Sequence, residues 1–411
     1  MTQLLIESGI KIAIILGGLM TAAAYFVLLE RRMAAWVQDR VGPNRVGIPG
    51  TNIRLFGLGQ PLADGIKFIL KEEYTPAHVS YALYMIAPIV ILAAALTTFV
   101  VIPMGSLLPR IQIGSIDSSH PVELVAAPGI DVGLILIFAL SSIAVYGVIL
   151  GGWSSNNKYS FLGGLRSSAQ LIAYELPLGL GILGVVLASG SLNIDVITKA
   201  QIQQGWYAFL QPLGFVVFLI AAFAEASRLP FDLPEAEQEL IGGYHTEYAG
   251  MKLLLFLVAE FLHMIAASFL IVQLFLGGWH LPFVTGGLED DKITWLQAAL
   301  RIAVLQGKIF VVIIFFMLVR WSWPRFRFDQ LMSLAWKIML PLGILNLVSV
   351  AIVEEFRHGK PAGDASGTVI ALVVGWAVLI GGWLAVAFTN PLVTDNRPRR
   401  DLSPAEVDAQ I

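Results

Sequence analysis

The chain has 411 residues, of which 57% are hydrophobic and only 13% charged, where a soluble globular domain carries about 25% charge. A mean hydropathy of +0.76 leaves too little polar surface to cover water-facing domains of this length, and it excludes disorder on the same ground. With 26 basic and 29 acidic residues the net charge is −3, and no Lys/Arg tract is interleaved with aromatics, so nucleic acid is excluded as a partner. There is no cysteine, which removes the usual ligands of iron–sulfur clusters and structural zinc, and disulfides as well. The six histidines lack metal-ligand spacing, so no metal centre is expected. These properties define an all-α polytopic membrane protein.

A spanning helix needs about 20 mostly apolar residues. Nine segments meet or approach this: 10–29, 83–102, 132–152, 171–189, 209–226, 253–276, 302–319, 338–353 and 368–389, the eighth being short. Pro88, Pro177, Pro212 and Pro341 fall within them, which membrane helices tolerate when neighbours satisfy the freed carbonyls. The first segment lacks a basic n-region and runs straight into Glu30-Arg31-Arg32, so it reads as a span and not a cleavable signal. With the N-terminus outside, the inner loops hold 18 Lys and Arg and the outer loops 6, a clear positive-inside bias that puts the C-terminus in the cytoplasm. There is no internal repeat of the secondary-transporter kind.

The inner loops are long and carry the working surface. Gln60 to Glu73 reads as an interfacial amphipathic helix, with Leu62, Ile66, Ile69 and Leu70 on one face and Asp64, Lys67 and Lys71 elsewhere. Asp232 is placed to cap a helix starting near Leu233, with Glu235 completing a capping box. Gly179-Leu-Gly181-Ile-Leu-Gly184 matches a dinucleotide fingerprint only by chance: no strand precedes it and it lies in an apolar span, where glycines serve close helix packing.

Ionisable residues within a span cost about 2.5 to 3.5 kcal/mol each and need a reason. Glu175, Glu225, Glu260 and Lys308 fall in the fourth to seventh spans, and Glu260 shares a helical face with His263, three residues on. Lys308 could meet either of them across helices. At the inner mouth follow Arg228, Asp232, Glu235, Glu237, Glu239 and Tyr244-His245-Thr246-Glu247-Tyr248; Glu235 and Glu239 share a face and repel. Coupled acids of this kind pass protons as a cluster. A solvated, capped loop accounts equally well for Glu225, Glu235, Glu237 and Glu239, whereas interhelical pairing is the weaker alternative for Glu175, Glu260 and Lys308, since burying charge merely to hold helices together is costly; His245 and His263 read as hydrogen-bonded structural residues.

The loops carry Glu30-Arg31-Arg32 leading to Gln38-Asp39-Arg40-Val41-Gly42-Pro43-Asn44-Arg45-Val46-Gly47, then Gln60-Pro61-Leu62-Ala63-Asp64-Gly65-Ile66-Lys67, and Ser160 to Ser168 after Asn157-Lys158-Tyr159. The fifth-to-sixth loop reads Pro230-Phe231-Asp232-Leu233-Pro234-Glu235-Ala236-Glu237-Gln238-Glu239-Leu240, followed by Gly243-Tyr244-His245-Thr246-Glu247-Tyr248. In these stretches, in order over residues 10 to 355, the chain resembles the quinone-site membrane subunit of bacterial NADH:quinone oxidoreductase, respiratory complex I, known in bacteria as the H subunit.

The resemblance implies an eight-span domain over 1–355, with 356–411 adding a ninth span and a cytoplasmic tail. It implies that Glu30, Arg31, Arg40, Asp64, Lys67 and Arg228 line a ubiquinone or menaquinone cavity or its approach, with Glu225 at the same place. Glu235, Glu237 and Glu239 are then the acidic cluster between quinone chemistry and the proton route, which Glu175 and Glu260 continue into the membrane. FMN and iron–sulfur clusters are expected in partner subunits, some of which dock on the inner loops, with antiporter-like and small membrane subunits alongside in the cell inner membrane. Many members read Ala-Glu-Thr-Asn-Arg where this chain reads Ala224-Glu225-Ala226-Ser227-Arg228, which keeps the Glu and Arg but not the residues between. The ninth span is assigned to packing at the lipid or subunit edge. The homologous subunit of an energy-converting hydrogenase or of another-donor dehydrogenase is the alternative. A stand-alone ion transporter leaves the docking loops unexplained, and a purely structural anchor leaves the charged spans unexplained.

Overall fold

A computed structural model of the chain describes residues 2–47, 56–109, 112–113, 116–117, 122–233, 241–282, 284–285, 293–357 and 365–389. In chain order the helices are α1 (Thr2–Val37), α2 (Gln60–Leu70), α3 (Tyr81–Thr98), α4 (Gly133–Ser154), α5 (Lys158–Ser189), α6 (Ile194–Gln204), α7 (Tyr207–Leu210), α8 (Pro212–Glu225), α9 (Gly250–Phe275), α10 (Trp295–Ser322), α11 (Phe328–Arg357) and α12 (Ala365–Thr389). A two-residue strand pair, Gln112–Ile113 with Ile116–Asp117, is the only sheet among the described residues.

Each of the nine apolar segments is a helix, and eight of the helices are long and apolar enough to cross a membrane. The short one is not the eighth, as the apolar run suggests, but the fifth. α8 has 14 residues, beginning at Pro212, whose missing N–H costs nothing at a first helical turn. α11, by contrast, reaches 30 residues, because a π-helical turn at Leu334–Met339 carries it through the region before Pro341, which cannot donate to the preceding turn. α6, between α5 and α7, is not legible as an element in the sequence: its side chains mix polar and apolar types with little periodicity.

α9 is the centre of the bundle: 72% of its most apolar window is buried within the protein, against 11% in α12, which lies at the periphery. Around it α1, α3, α8 and α10 pack most extensively. Gly181 and Gly184 of the chance fingerprint lie against Phe218 of α8 and against Gln211 and Asn346, as close helix packing requires. The apolar face of α2 stays uncovered, with Leu62, Ile69 and Leu70 all more than half exposed, as befits a helix lying on an apolar surface outside this chain.

Lys308 does not meet Glu260 or His263. Its Nζ donates to the carbonyls of Leu276, Gly278 and His280 at 2.6, 3.0 and 2.7 Å and sits 4.4 Å from the Trp206 ring centroid. These carbonyls lie just past the C-terminus of α9, more than ten residues from His263 and so on the order of 20 Å away along the helix. A cation there answers the helix dipole and the open carbonyls together. Lys308→Met is therefore expected to lower the stability of the protein by roughly 3 kcal/mol, since buried acceptors lose charged donors, seen as a lower melting temperature of the assembled complex.

In the same turn, the ring Nδ1 of His280 lies 3.0 Å from the Thr285 hydroxyl. Burial first, then the positive charges of Lys308 and Arg301, hold the imidazole pKa below its ordinary 6.5. The folded chain thus refuses a proton that the unfolded chain accepts. This contribution to stability is complete above pH 6.5 and fades as pH falls below it. Melting at pH 5.5 is expected to show a deficit relative to pH 7.5 that His280→Gln reduces.

Candidate functional site: a charged cleft joined to an acidic pocket

α1, α2, α9 and the C-terminal end of α10 enclose a cleft of about 720 Å³. Its mouth is charged and its depth apolar. Glu30, Arg31, Arg40, Asp64, Arg228 and Arg320 line one end, while Met20, Ala23, Val27, Leu254, Leu257 and Phe261 line the rest. Met20 to Glu30 is ten residues of helix, so the apolar part runs about 15 Å into the membrane region.

The charged end is held by ion pairs that span distant elements. Glu30, only 7% exposed, accepts from Arg228 Nη1 at 3.1 and 3.2 Å, and Arg320 Nη1 closes on its other side. Arg228 also lies over the Phe261 ring, 4.3 Å from its centroid. Arg31 reaches Asp64 at 2.7 Å and so ties α1 to α2. Lys67 meets Asp64 at 3.4 Å from outside the cleft wall. Of the six cavity residues expected from the sequence, five line the cleft, and Lys67 touches it through Asp64.

Beside the cleft lies a second, much smaller cavity of about 40 Å³, between α3, α4, α5, α8 and α9. Glu175, Glu225 and Glu260 all face it, together with His263 and Tyr244. Two adjacent serines of α4 divide between two of the acids: Ser141 Oγ donates to Glu225 and Ser142 Oγ to Glu175. The Tyr244 hydroxyl is 3.4 Å from Glu260 Oε1. The buried Ser167 hydroxyl, unpaired among the described residues, also faces this space, which is polar enough to hold water.

Glu260 is the one described residue that lines both cavities. The helical geometry of α9 explains why. Leu257 and Phe261 point into the cleft, His263 points into the pocket, and at 100° per residue Glu260 falls on the border between the two faces. The arrangement offers one carboxylate exchangeable with either side.

Tyr244 is positioned by a loop clamped at several points. Gly163 lets the loop approach α5 so closely that a Cβ there would stand 2.7 Å from the Gly243 backbone. Asn157 donates to the Glu247 carboxylate at 2.6 Å, Tyr84 donates to the Glu247 carbonyl at 2.7 Å, and the rings of Tyr84 and Tyr248 stack at 4.1 Å. Burial pushes the Tyr248 hydroxyl up to about 12, so it stays protonated and donates. Asp232 is engaged by Arg325 at 3.1 Å. Its expected capping box falls with Glu235, Glu237 and Glu239 outside the described residues.

Sequence reasoning does not single out Arg320, Arg325, Ser141 or Ser142 as site residues, and it places Tyr244 at the inner mouth without assigning it a partner. The two arginines are visible only as part of the positive-inside count. Adjacent serines in an apolar run carry no periodic signal, since their role depends on which carboxylates the neighbouring helices bring. Among the described residues no group of three His, Asp or Glu is arranged to hold a metal ion.

Residues 10–351 match the family model described as NADH dehydrogenase. The chain is 43% identical over 347 residues to an H subunit of NADH-quinone oxidoreductase, the first of that name, from Cytophaga hutchinsonii, covering 84% of this chain and 96% of that one. It is 46% identical over 331 residues to the NADH-quinone oxidoreductase H subunit of Protochlamydia amoebophila, covering 80% and 92% of the two chains. Against NADH-quinone oxidoreductase subunit 8 of Rhodothermus marinus the identity is 41% over 348 residues, with 82% and 94% covered. With nine apolar helices among its described residues and a match across more than four-fifths of its length, the chain belongs to the NADH dehydrogenase family of multi-pass membrane proteins, among the relatives of the NADH-quinone oxidoreductase H subunits.

Proposed function

We propose that this chain is the membrane subunit of a proton-translocating NADH:quinone oxidoreductase, forming the membrane part of the quinone chamber and the acidic route that couples quinone reduction to proton movement. The observation that carries the reading is Glu260, shared between an amphipathic cleft and a pocket of carboxylates. A quinone has a polar head and a long apolar tail, and a cleft charged at one end and apolar for about 15 Å suits both. Glu30, Arg31, Arg40, Asp64 and Arg228 bound the head end, with Lys67 behind Asp64. Reducing a quinone to quinol takes up two electrons and two protons, so the head end gains negative charge until protons arrive.

Glu260 answers that charge from the border, and Glu225 and Glu175 pass the change onward through the Ser141 and Ser142 hydroxyls. Glu235, Glu237 and Glu239 extend the acidic set at the inner mouth. With no cysteine in the chain, the flavin and iron–sulfur groups that deliver electrons are assigned to peripheral partners docked on the inner loops. The positive-inside bias orients the N-terminus outward and the C-terminus toward the cytoplasm of a bacterial inner membrane.

The test is to solubilise the chain from its native membrane in mild detergent, identify what copurifies, and assay quinone-dependent NADH oxidation with a quinone-site inhibitor. Copurified flavin and iron–sulfur subunits with inhibitor-sensitive activity are the expected result. A chain that runs alone, or with hydrogenase subunits and no NADH oxidation, contradicts it.

A further inference from the structure

On the face opposite the quinone cleft, α11 carries a polar stripe into the membrane region. Asn346, Ser349, Glu354 and Arg357 all face one cavity, which Gln211 and Tyr207 complete. Asn346 to Arg357 is eleven residues, or about 16 Å of helix, which is roughly half the hydrocarbon thickness of a bilayer. Lipid cannot satisfy such groups.

The protein satisfies them only in part. Arg357 Nη1 meets Glu354 Oε1 at 2.7 Å, Gln211 Nε2 donates to the Gly184 carbonyl at 3.2 Å, and Asn346 Oδ1 accepts from the Gly214 N–H at 3.1 Å. The other half of each amide is left over. Gln211 Oε1, an acceptor, and Asn346 Nδ2, a donor, are buried without a partner among the described residues, in side chains 5% and 2% exposed. Both face the gap that Gly184 leaves: a methyl there would stand 2.8 Å from each. A leftover donor and acceptor on one gap, in a cavity with a carboxylate and a guanidinium at its mouth, match water and no apolar ligand.

The extra helix α12 closes this cavity on the lipid side with Ala371, Val374 and Gly375. It is seated closely, since a Cβ on Gly375 would stand 2.4 Å from the Leu210 carbonyl oxygen. We propose that α12 seals a narrow, water-holding cavity that opens on the face opposite the quinone cleft and reaches the middle of the membrane at Asn346 and Gln211. The ligand is water, with Glu354 as the ionisable group in contact with it. The ninth span thereby has a task beyond edge packing: it keeps lipid off a polar stripe that the other helices leave open.

The absence of cysteine makes the test direct. Ser349→Cys on α11 and Ala371→Cys on α12 each place the chain's single thiol in the cavity, and Val348→Cys, at a 51% exposed apolar position outside the cavity, is the control. Assembled complex in sealed vesicles of either orientation is treated with a small, charged, membrane-impermeant methanethiosulfonate, and labelling of this chain is followed by mass spectrometry. Thiolates form and react in water. At least one cavity cysteine is expected to label tenfold or more faster than Val348→Cys, and only from the face opposite the quinone cleft. Cavity positions that label no faster than the control, or label from the cleft face alone, overturn the proposal. Two positions on separate helices keep the test readable if one variant fails to assemble.

Discussion

Replacing Glu30 with alanine is expected to abolish accumulation of the assembled complex. Glu30 is the carboxylate between Arg228, at 3.1 Å, and Arg320, and it is 7% exposed. Removing it leaves two guanidinium groups facing each other across the space the carboxylate held, and taking one partner from a buried pair costs about 3 to 5 kcal/mol. That is comparable to much of the stability of a folded domain. The effect should appear as loss of the complex on native gels and as a lower melting temperature of what remains. Lys67→Ala is the contrast. Its side chain is 58% exposed and its contact with Asp64 is long, at 3.4 Å, so a stability change of under about 1 kcal/mol is expected.

Glu225→Gln acts on a different quantity. The side chain keeps its shape and still pairs with Ser141, but it can no longer exchange a proton. NADH-driven proton translocation by reconstituted complex is expected to fall by roughly tenfold or more, the lower range of what a positioned proton-transfer group supplies, while the melting temperature stays close to that of the parent. Ser141→Ala should show the same direction with a smaller loss, because water can replace the hydroxyl beside Glu225. A Glu225→Gln complex that translocates protons normally would remove the acidic pocket from the route.

Much of the architecture is legible in the sequence. The nine apolar helices among the described residues follow from apolar length alone, because in lipid every backbone amide must be satisfied internally. The acids Glu175, Glu225 and Glu260 stand out for the complementary reason that charge within a span is costly, and all three face one pocket. The cleft residues need more. Nothing in the spacing of Glu30, Asp64 and Arg228 brings them together; the family resemblance groups them, and the packing of α1, α2 and α9 puts them on one wall.

Partner choice is what the sequence does not convey. Lys308 has the composition of a relay residue, but its ammonium is consumed by three carbonyls at the end of α9. Arg320 reads as an orientation signal and is instead half of the clamp on Glu30. In both cases the deciding atoms are more than twenty residues away in the chain, and one of the two sets is backbone, which carries no sequence signature. The short fifth helix and the long eighth reflect where Pro212 and the π-helical turn fall, which hydropathy averaging smooths away.

The proposed coupling depends above all on Glu260 as the link between the cleft and the acidic pocket. Glu260→Gln in proteoliposomes probes that link, with quinone reductase activity, quinone KM and proton translocation measured on one preparation. Reductase activity and translocation are expected to fall together by roughly tenfold or more, as loss of a proton-exchanging group would cause, with KM changed by less than about threefold, since the amide preserves the cleft wall. Reductase activity and proton translocation both unchanged would contradict the role assigned to Glu260.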